Sequence, residues 1–157
     1  MINPSVLARL AQFIDTEATL MRRFVALLER EEALLIAGET DALLALTREK
    51  SELYQQLQRQ NDARALLLGR ERLENTDASL RALCRAMPET LSRWDEILSL
   101  ANEARSRNEI NGKLITERMQ HNQAALSVLL SAADQPQLYD AEGVARPTGR
   151  GRHLGSA

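Results

Sequence analysis

Hydrophobic positions recur with a helical period almost from the start of the chain. Between Ser5 and Ala37, Val6, Phe13, Leu20, Leu27 and Leu34 stand seven residues apart, and Leu7, Ile14, Met21, Leu28 and Leu35 run beside them. Leu10, Phe24 and Val25 widen these stripes into a face broader than the single seam of a two-stranded coiled coil. A helix with such a face is expected to lie between two partners. Ser5, after Pro4, is the expected N-cap, and Gly38 supplies the left-handed residue that commonly closes a helix.

Thr40 or Asp41 is then expected to cap a second helix, from Asp41 to about Leu68, and so short a loop forces an antiparallel hairpin. Leu43, Leu46, Leu53, Leu57 and Leu67 give it one apolar side, while Gln55 to Arg64 is rich in Gln, Asn and Arg. It reads as an outer helix ended by Gly69. Arg70 to Thr76 is charged and without period. Asp77 is expected to cap a short helix in which Leu80, Leu83, Cys84 and Met87 keep i, i+3, i+4, i+7 spacing, and Pro88 stops it or allows only a restart.

The last helix is expected from about Glu89 to Ala132. Its seam passes through Leu91, Trp94, Leu98, Ala101, Arg105, Asn108, Gly112, Ile115, Met119, Asn122, Leu126 and Leu129. The polar centre of that seam, Arg105 and Asn108, suits either a register-setting polar core or a turn of helix that faces a partner. At 1.5 Å per residue this helix would be about 65 Å long, against about 50 Å and about 40 Å for the first two. Either it breaks near Asn111-Gly112 or its C-terminal half extends past the bundle. From about Asp134 onward Gly, Pro and small polar residues prevail, too poor in apolar content to fold alone. The expected fold is therefore all-α: an antiparallel helical bundle of three long helices plus one short connecting helix over 1–133, with a flexible tail over 134–157.

Composition narrows the function. The 157 residues suit one domain, 44% hydrophobic and 27% charged. Two Phe, two Tyr and one Trp are too few for a stacking surface on single-stranded nucleic acid. Lys plus Arg is 20 and Asp plus Glu 22, a net charge of -2 with the signs interleaved, which argues against nucleic-acid binding and a polybasic membrane anchor. No signal-peptide pattern opens the chain, and the longest apolar run, Ala33 to Ala37, is too short for membrane insertion. One cysteine, Cys84, excludes an internal disulfide and fits the cytosol.

Candidate chemistry is thin. The two histidines, His121 and His153, do not follow Glu at the spacing of a bundle metal site. His121 also lacks the following Lys expected of a phosphorelay histidine, and reads as a solvated helix residue. Cys84 lies on an apolar stripe and reads as a core thiol rather than a nucleophile. The glycines form no phosphate loop. With no catalytic site, metal or cofactor expected, the chain is expected to act by holding another protein. Leu114, Ile115, Met119, Leu126, Val128, Leu129 and Leu130 form a stripe that either packs on the bundle or grips an amphipathic segment. Since the expected helix outruns its neighbours, part of the stripe is expected to be available. Gly112 costs a helix interior about 1 kcal/mol relative to Ala, so a bend or a close backbone approach is expected there.

Asn108-Glu109-Ile110-Asn111-Gly112-Lys113-Leu114-Ile115 resembles the Asn-x-x-Asn-Gly-x-Leu-Ile signature of the FlgN family of flagellar type III export chaperones. Glu32-Ala33-Leu34 before Gly38 to Asp41, Lys50 and Leu57, Arg64 before Leu66-Leu67, and Tyr139-Asp140-Ala141-Glu142-Gly143 extend the resemblance over most of the chain. It implies a cytoplasmic chaperone that binds the C-terminal regions of two hook-filament junction proteins, FlgK-like and FlgL-like. Such a chaperone prevents their early assembly and delivers them to the flagellar export apparatus. The C-terminal part of the chain is implied to bind this cargo. Asn108, Asn111, Gly112, Leu114, Ile115, Met119, Leu126 and Leu129 are accordingly expected at the cargo, and Tyr139 and Asp140 at the export gate. The competing expectation is a structural or regulatory coiled-coil protein that self-associates through the same stripe, with a homo-oligomer forming without cargo.

Overall fold

The computed structural model describes residues 2–119, 128–131 and 133. Among the described residues the helices α1 (Pro4–Ala37), α2 (Thr40–Arg70), α3 (Asp77–Leu83) and α4 (Pro88–Met119) follow in order, and residues 128–131 are helical as well. Among the described residues there is no strand. As its broad apolar face requires, α1 packs against both α2 and α4. Ion pairs Glu17–Arg64 and Glu31–Lys50 show α2 running antiparallel to α1. Contacts Arg22–Glu96, Leu28–Asn111 and Ile36–Arg118 rise together along both helices, so α4 runs parallel to α1.

The helix ends follow local chemistry, with small departures from expectation. Asn3 rather than Ser5 caps α1: its Oδ1 accepts from the Ser5 N–H at 2.9 Å, and Pro4 takes the first turn, where its missing N–H costs nothing. Gly38 closes α1 at φ 74°, as expected. A Cβ there would also lie 2.7 Å from Arg118 Nη1, the far end of a flexible side chain that would have to shift. No side chain caps α2; Thr40 is already helical and Glu39 stands at its N-cap. Gly69 lies inside the last turn of α2, and the left-handed residue just beyond is Arg72 at φ 60°. Thr76, not Asp77, caps α3, accepting from the Ser79 N–H at 3.2 Å.

The core is built on a heptad row of α1: Leu10, Ile14, Glu17, Met21, Phe24, Leu28, Glu31 and Leu35 are all buried. Two of these are carboxylates, and each meets a buried cation from α2. Glu31 pairs with Lys50 at 3.3 Å, and Glu17 with Arg64, whose side chain is fully buried. The pairs lie two heptads apart on both helices, so one antiparallel register satisfies both. A slip by one turn would bury unpaired charges, at a cost of several kcal/mol each. Burial pushes Glu17 above the usual carboxylate range against the pull of Arg64, and pushes Lys50 below the usual lysine range against the pull of Glu31. Arg64 also donates to Asn75 at 3.0 Å and Asn61 at 2.9 Å, and its guanidinium lies 4.7 Å from the Trp94 ring centre. The Trp94 indole N–H donates to Asp77 at 2.8 Å, which ties the start of α4 to α3.

The residues that α4 buries are Thr90, Trp94, Ile97, Ala104, Asn111 and Ile115. The expected seam shares Trp94 and Ile115 with this row but takes Leu98, Arg105 and Gly112 where the structure buries Ile97, Ala104 and Asn111. Arg105 and Asn108 thus stand on the flank, half-buried. The helix is continuous through Asn111 and Gly112. Its 32 described residues span about 48 Å, close to the length of α1. The expected continuation to Ala132 falls in part on residues 120–127, outside the described residues.

Candidate functional site

The upper end of α4 carries most of the residues singled out in the sequence, and its inner side is fixed by hydrogen bonds to α1. The Asn111 amide donates to the Leu28 carbonyl at 3.0 Å and to Glu31 Oε1 at 2.8 Å. Glu31 thereby joins all three long helices, since it also holds Lys50 of α2. Asn111 is fully buried, so its first role is to seat α4 on α1. One turn on, Ile115 is fully buried in a small cluster with Leu35, Leu43 and Leu129, apart from the main core. Leu114, Met119, Leu130 and Ala133 are partly buried against it. Arg118 donates to the Ile36 carbonyl at 2.6 Å and so closes the C-terminus of α1 beside this cluster.

Leu129 is 1% exposed in this cluster. A straight helix would carry it about 21 Å beyond Ile115. The helical residues 128–131 are therefore not an axial continuation of α4; they lie back against the end of the bundle. Consequently the stripe expected to project past the bundle is partly covered by the chain itself. Ile36 and Leu44, which follow Leu35 and Leu43 in sequence, stay 62% and 37% exposed, and Val128, beside Leu129, is 54% exposed. A cavity of about 520 Å³ opens at the same end, at the α1–α2 turn, lined by Gly38, Glu39, Thr40, Asp41 and Ala42.

On the flank of α4, Gly112 leaves room: a Cβ there would meet nothing within 4 Å. Its glycine is therefore not required by any described neighbour. Asn108, one turn earlier, has its Oδ1 buried without a hydrogen bond among the described residues. Asn108, Gly112 and Met119 thus lie on one partly buried flank of α4 and Leu114 on the other, whereas Asn111, Ile115 and Leu129 are turned inward. Leu126, Tyr139 and Asp140 lie outside the described residues, as do His121 and His153. The buried charges Glu17, Glu31, Lys50 and Arg64 went unassigned in the pattern reading. Their signal was present, since each falls on a heptad position otherwise held by an apolar residue.

Cys84 is 1% exposed, and burial pushes its thiol above the usual range, away from the reactive thiolate. Among the described residues no group of three or more His, Cys, Asp or Glu could hold a metal ion. No described helix is long and apolar enough to cross a membrane.

Comparison with known proteins places this arrangement among relatives. The family model described as FlgN protein matches residues 1–147. A flagella synthesis protein FlgN of Salmonella typhimurium is 27% identical over 147 residues, covering 92% of this chain and 96% of its own length. That of Yersinia enterocolitica serotype O:8 is 28% identical over 144 residues, covering 90% of this chain and 92% of the relative. The Escherichia coli K12 protein of the same description is 26% identical over 147 residues, with 92% and 96% covered. No solved structure matches the chain.

Proposed function

The chain belongs to the FlgN family of flagellar synthesis proteins, and from that premise we propose that it is a cytoplasmic export chaperone. Its cargo is the C-terminal regions of the hook-filament junction proteins, which it keeps from assembling early and delivers to the flagellar type III export apparatus. The observation that carries this reading is the small apolar cluster at the distal end of α4. It is a separate group of buried residues that meets the main core at partly buried Leu34 and lies at the Asn-x-x-Asn-Gly-x-Leu-Ile block, with exposed apolar neighbours at Ile36 and Leu44. Such an end suits an amphipathic helix presented by a cargo that is otherwise disordered.

In this reading Asn108, Gly112, Leu114 and Met119 contact cargo directly, with Gly112 admitting a close backbone approach. Asn111 holds those residues in place through α1. Leu126 and Leu129 add to the apolar side, and Ile115 is reached when residues 128–131, Leu129 among them, move aside. Tyr139 and Asp140 serve the export gate. Ordering a disordered cargo segment consumes several kcal/mol of the gross interaction energy, which keeps the complex reversible without a nucleotide on the chaperone.

The test is calorimetric titration of the full chain with C-terminal segments of the two junction proteins, with flagellin as control. Saturable binding to the segments but not to flagellin is expected, and Met119→Asp should weaken it at least tenfold while the helical circular dichroism persists. Absence of binding to every cargo, with a stable oligomer in light scattering, would instead support self-association through the same stripe.

A further inference from the structure

We propose that the Asn111-Gly112 step is a modification site: it loses ammonia spontaneously when the distal end of α4 lifts off α1, and the carboxylate formed keeps that end from seating again. The reaction needs only water, and it goes beyond the chaperone reading without resting on it.

This is the chain's one Asn-Gly step, and its chemistry is intramolecular. The Gly112 backbone nitrogen attacks Asn111 Cγ, the side-chain amide departs as ammonia with the proton of the attacking N–H, and a five-membered imide remains. Water then opens the imide at either carbonyl, leaving aspartate in the ordinary linkage or isoaspartate in the β-linkage. Glycine is the successor that favours the attack, since without a Cβ its nitrogen approaches freely and its backbone turns readily. A Cβ at Gly112 would meet nothing within 4 Å, so no described neighbour asks for glycine there.

The seated helix blocks each part of this reaction. Asn111 and Gly112 lie inside continuous α4, where the N–H of residue 112 is committed to the carbonyl four residues back and the helical turn holds that nitrogen away from Cγ. The Asn111 amide donates to the Leu28 carbonyl at 3.0 Å and to Glu31 Oε1 at 2.8 Å, and the residue is fully buried, out of reach of water. Beyond Asn111, α4 is held by Ile115 in the small cluster with Leu35, Leu43 and Leu129, against a much larger core lower down. An end held by so few buried residues opens locally at lower cost than the whole fold. The product then has no way back. A carboxylate at position 111 would stand where the amide donated to Glu31, so that two carboxylates face the Lys50 ammonium in a buried site. Isoaspartate also adds a backbone atom and breaks the i→i−4 ladder at the same point.

The experiment incubates the full-length chain, its Gly112→Ala and Ile115→Ala variants and a synthetic peptide of residues 107–116 at mildly alkaline pH. Mass spectrometry of digests reads aspartate and isoaspartate at position 111. The peptide is expected to convert at least about tenfold faster than the folded chain, because only the folded chain must open first. Ile115→Ala, which loosens the distal cluster, should keep its helical circular dichroism and convert several-fold faster than the parent, whereas Gly112→Ala should slow conversion. Chain converted in urea and returned to buffer should melt several degrees below unconverted chain from the same sample. Conversion of the folded parent as fast as of the peptide overturns the proposal. So does a folded Ile115→Ala that converts no faster than the parent, or converted chain that melts with the unconverted. Should Ile115→Ala fail to fold, Leu43→Ala, which thins the same cluster from α2, decides by the same rate. None of these readouts uses cargo, so their outcome is independent of whether the chain binds a junction protein.

Discussion

Asn111 on α4 donates its side-chain amide to Glu31 on α1 at 2.8 Å, in a site where both residues are 1% exposed or less. A second amide hydrogen goes to the Leu28 carbonyl at 3.0 Å. The asparagine of the signature block is thus a fastener between helices. Asn111→Ala is expected to destabilise the protein by about 2 kcal/mol, the worth of a hydrogen bond to a charged group. Asn111→Asp should cost more, because it sets a second carboxylate against Glu31, and its deficit should shrink as pH falls from 8 to 5. Urea unfolding at the two pH values checks both; equal stability of Asn111→Ala and the parent would remove the fastener.

Glu31 is shared between Asn111 and Lys50, which makes the fate of its charge testable. Lys50→Met is expected to cost about 3 to 5 kcal/mol, since it leaves a buried carboxylate without its cation. Adding Glu31→Gln should recover much of that loss, because the amide oxygen still accepts from Asn111 while no charge remains to be neutralised. Denaturant midpoints of the single and double variants decide; a double variant less stable than Lys50→Met would show that the ion pair is not what holds the site.

The helices, the hairpin and the central position of α1 were legible because apolar residues repeat at helical spacing over long stretches and Gly38 marks the turn. Phase within α4 was harder. Ile97 and Leu98 are adjacent and both apolar, so the periodicity alone does not say which points at α1, and Ala104 and Asn111 are too small or too polar to announce a core. Choosing Leu98, Arg105 and Gly112 rotated the seam by one residue and made its centre seem open to a partner. The buried charges were hidden for a related reason. Glu17, Glu31, Lys50 and Arg64 carry the residue types of a solvated face, and only their positions in the heptad reveal them. Where Leu129 packs is a tertiary matter: its periodicity continues that of α4, and only the structure puts it back among Leu35, Leu43 and Ile115.

Gly112 offers a prediction in the opposite direction. It lies within a continuous helix, and a Cβ there meets nothing within 4 Å. Gly112→Ala should therefore raise stability by about 0.5 to 1 kcal/mol through helix propensity and a less flexible unfolded chain. If the open space serves cargo, the same variant should weaken binding of the junction-protein segment. A melting temperature raised by a few degrees together with lower cargo affinity is the expected pair of results. Higher stability with unchanged affinity would remove Gly112 from the cargo contacts.

The alkaline limb of stability should report Tyr54. Burial pushes its phenol up to about 12 from its usual 10.0. With the folded value raised, the phenol contributes stability in full below pH 10, and loses it as pH rises toward 12, because the unfolded chain releases the proton more readily. Discounted for partial solvent access, the loss across that window is about 1 to 2 kcal/mol. Lys50 works the other way: its folded value is lowered by burial, so stability rises as pH climbs from that lowered value to the usual lysine value, and no further above it. Comparison with Tyr54→Phe separates the two, since only the phenol is removed. Urea unfolding at pH 8 and pH 11.5 should show the parent losing about 1 to 2 kcal/mol more than the variant between the two conditions. An identical decline in both proteins would mean that the phenol ionises as freely in the folded chain as in the unfolded one.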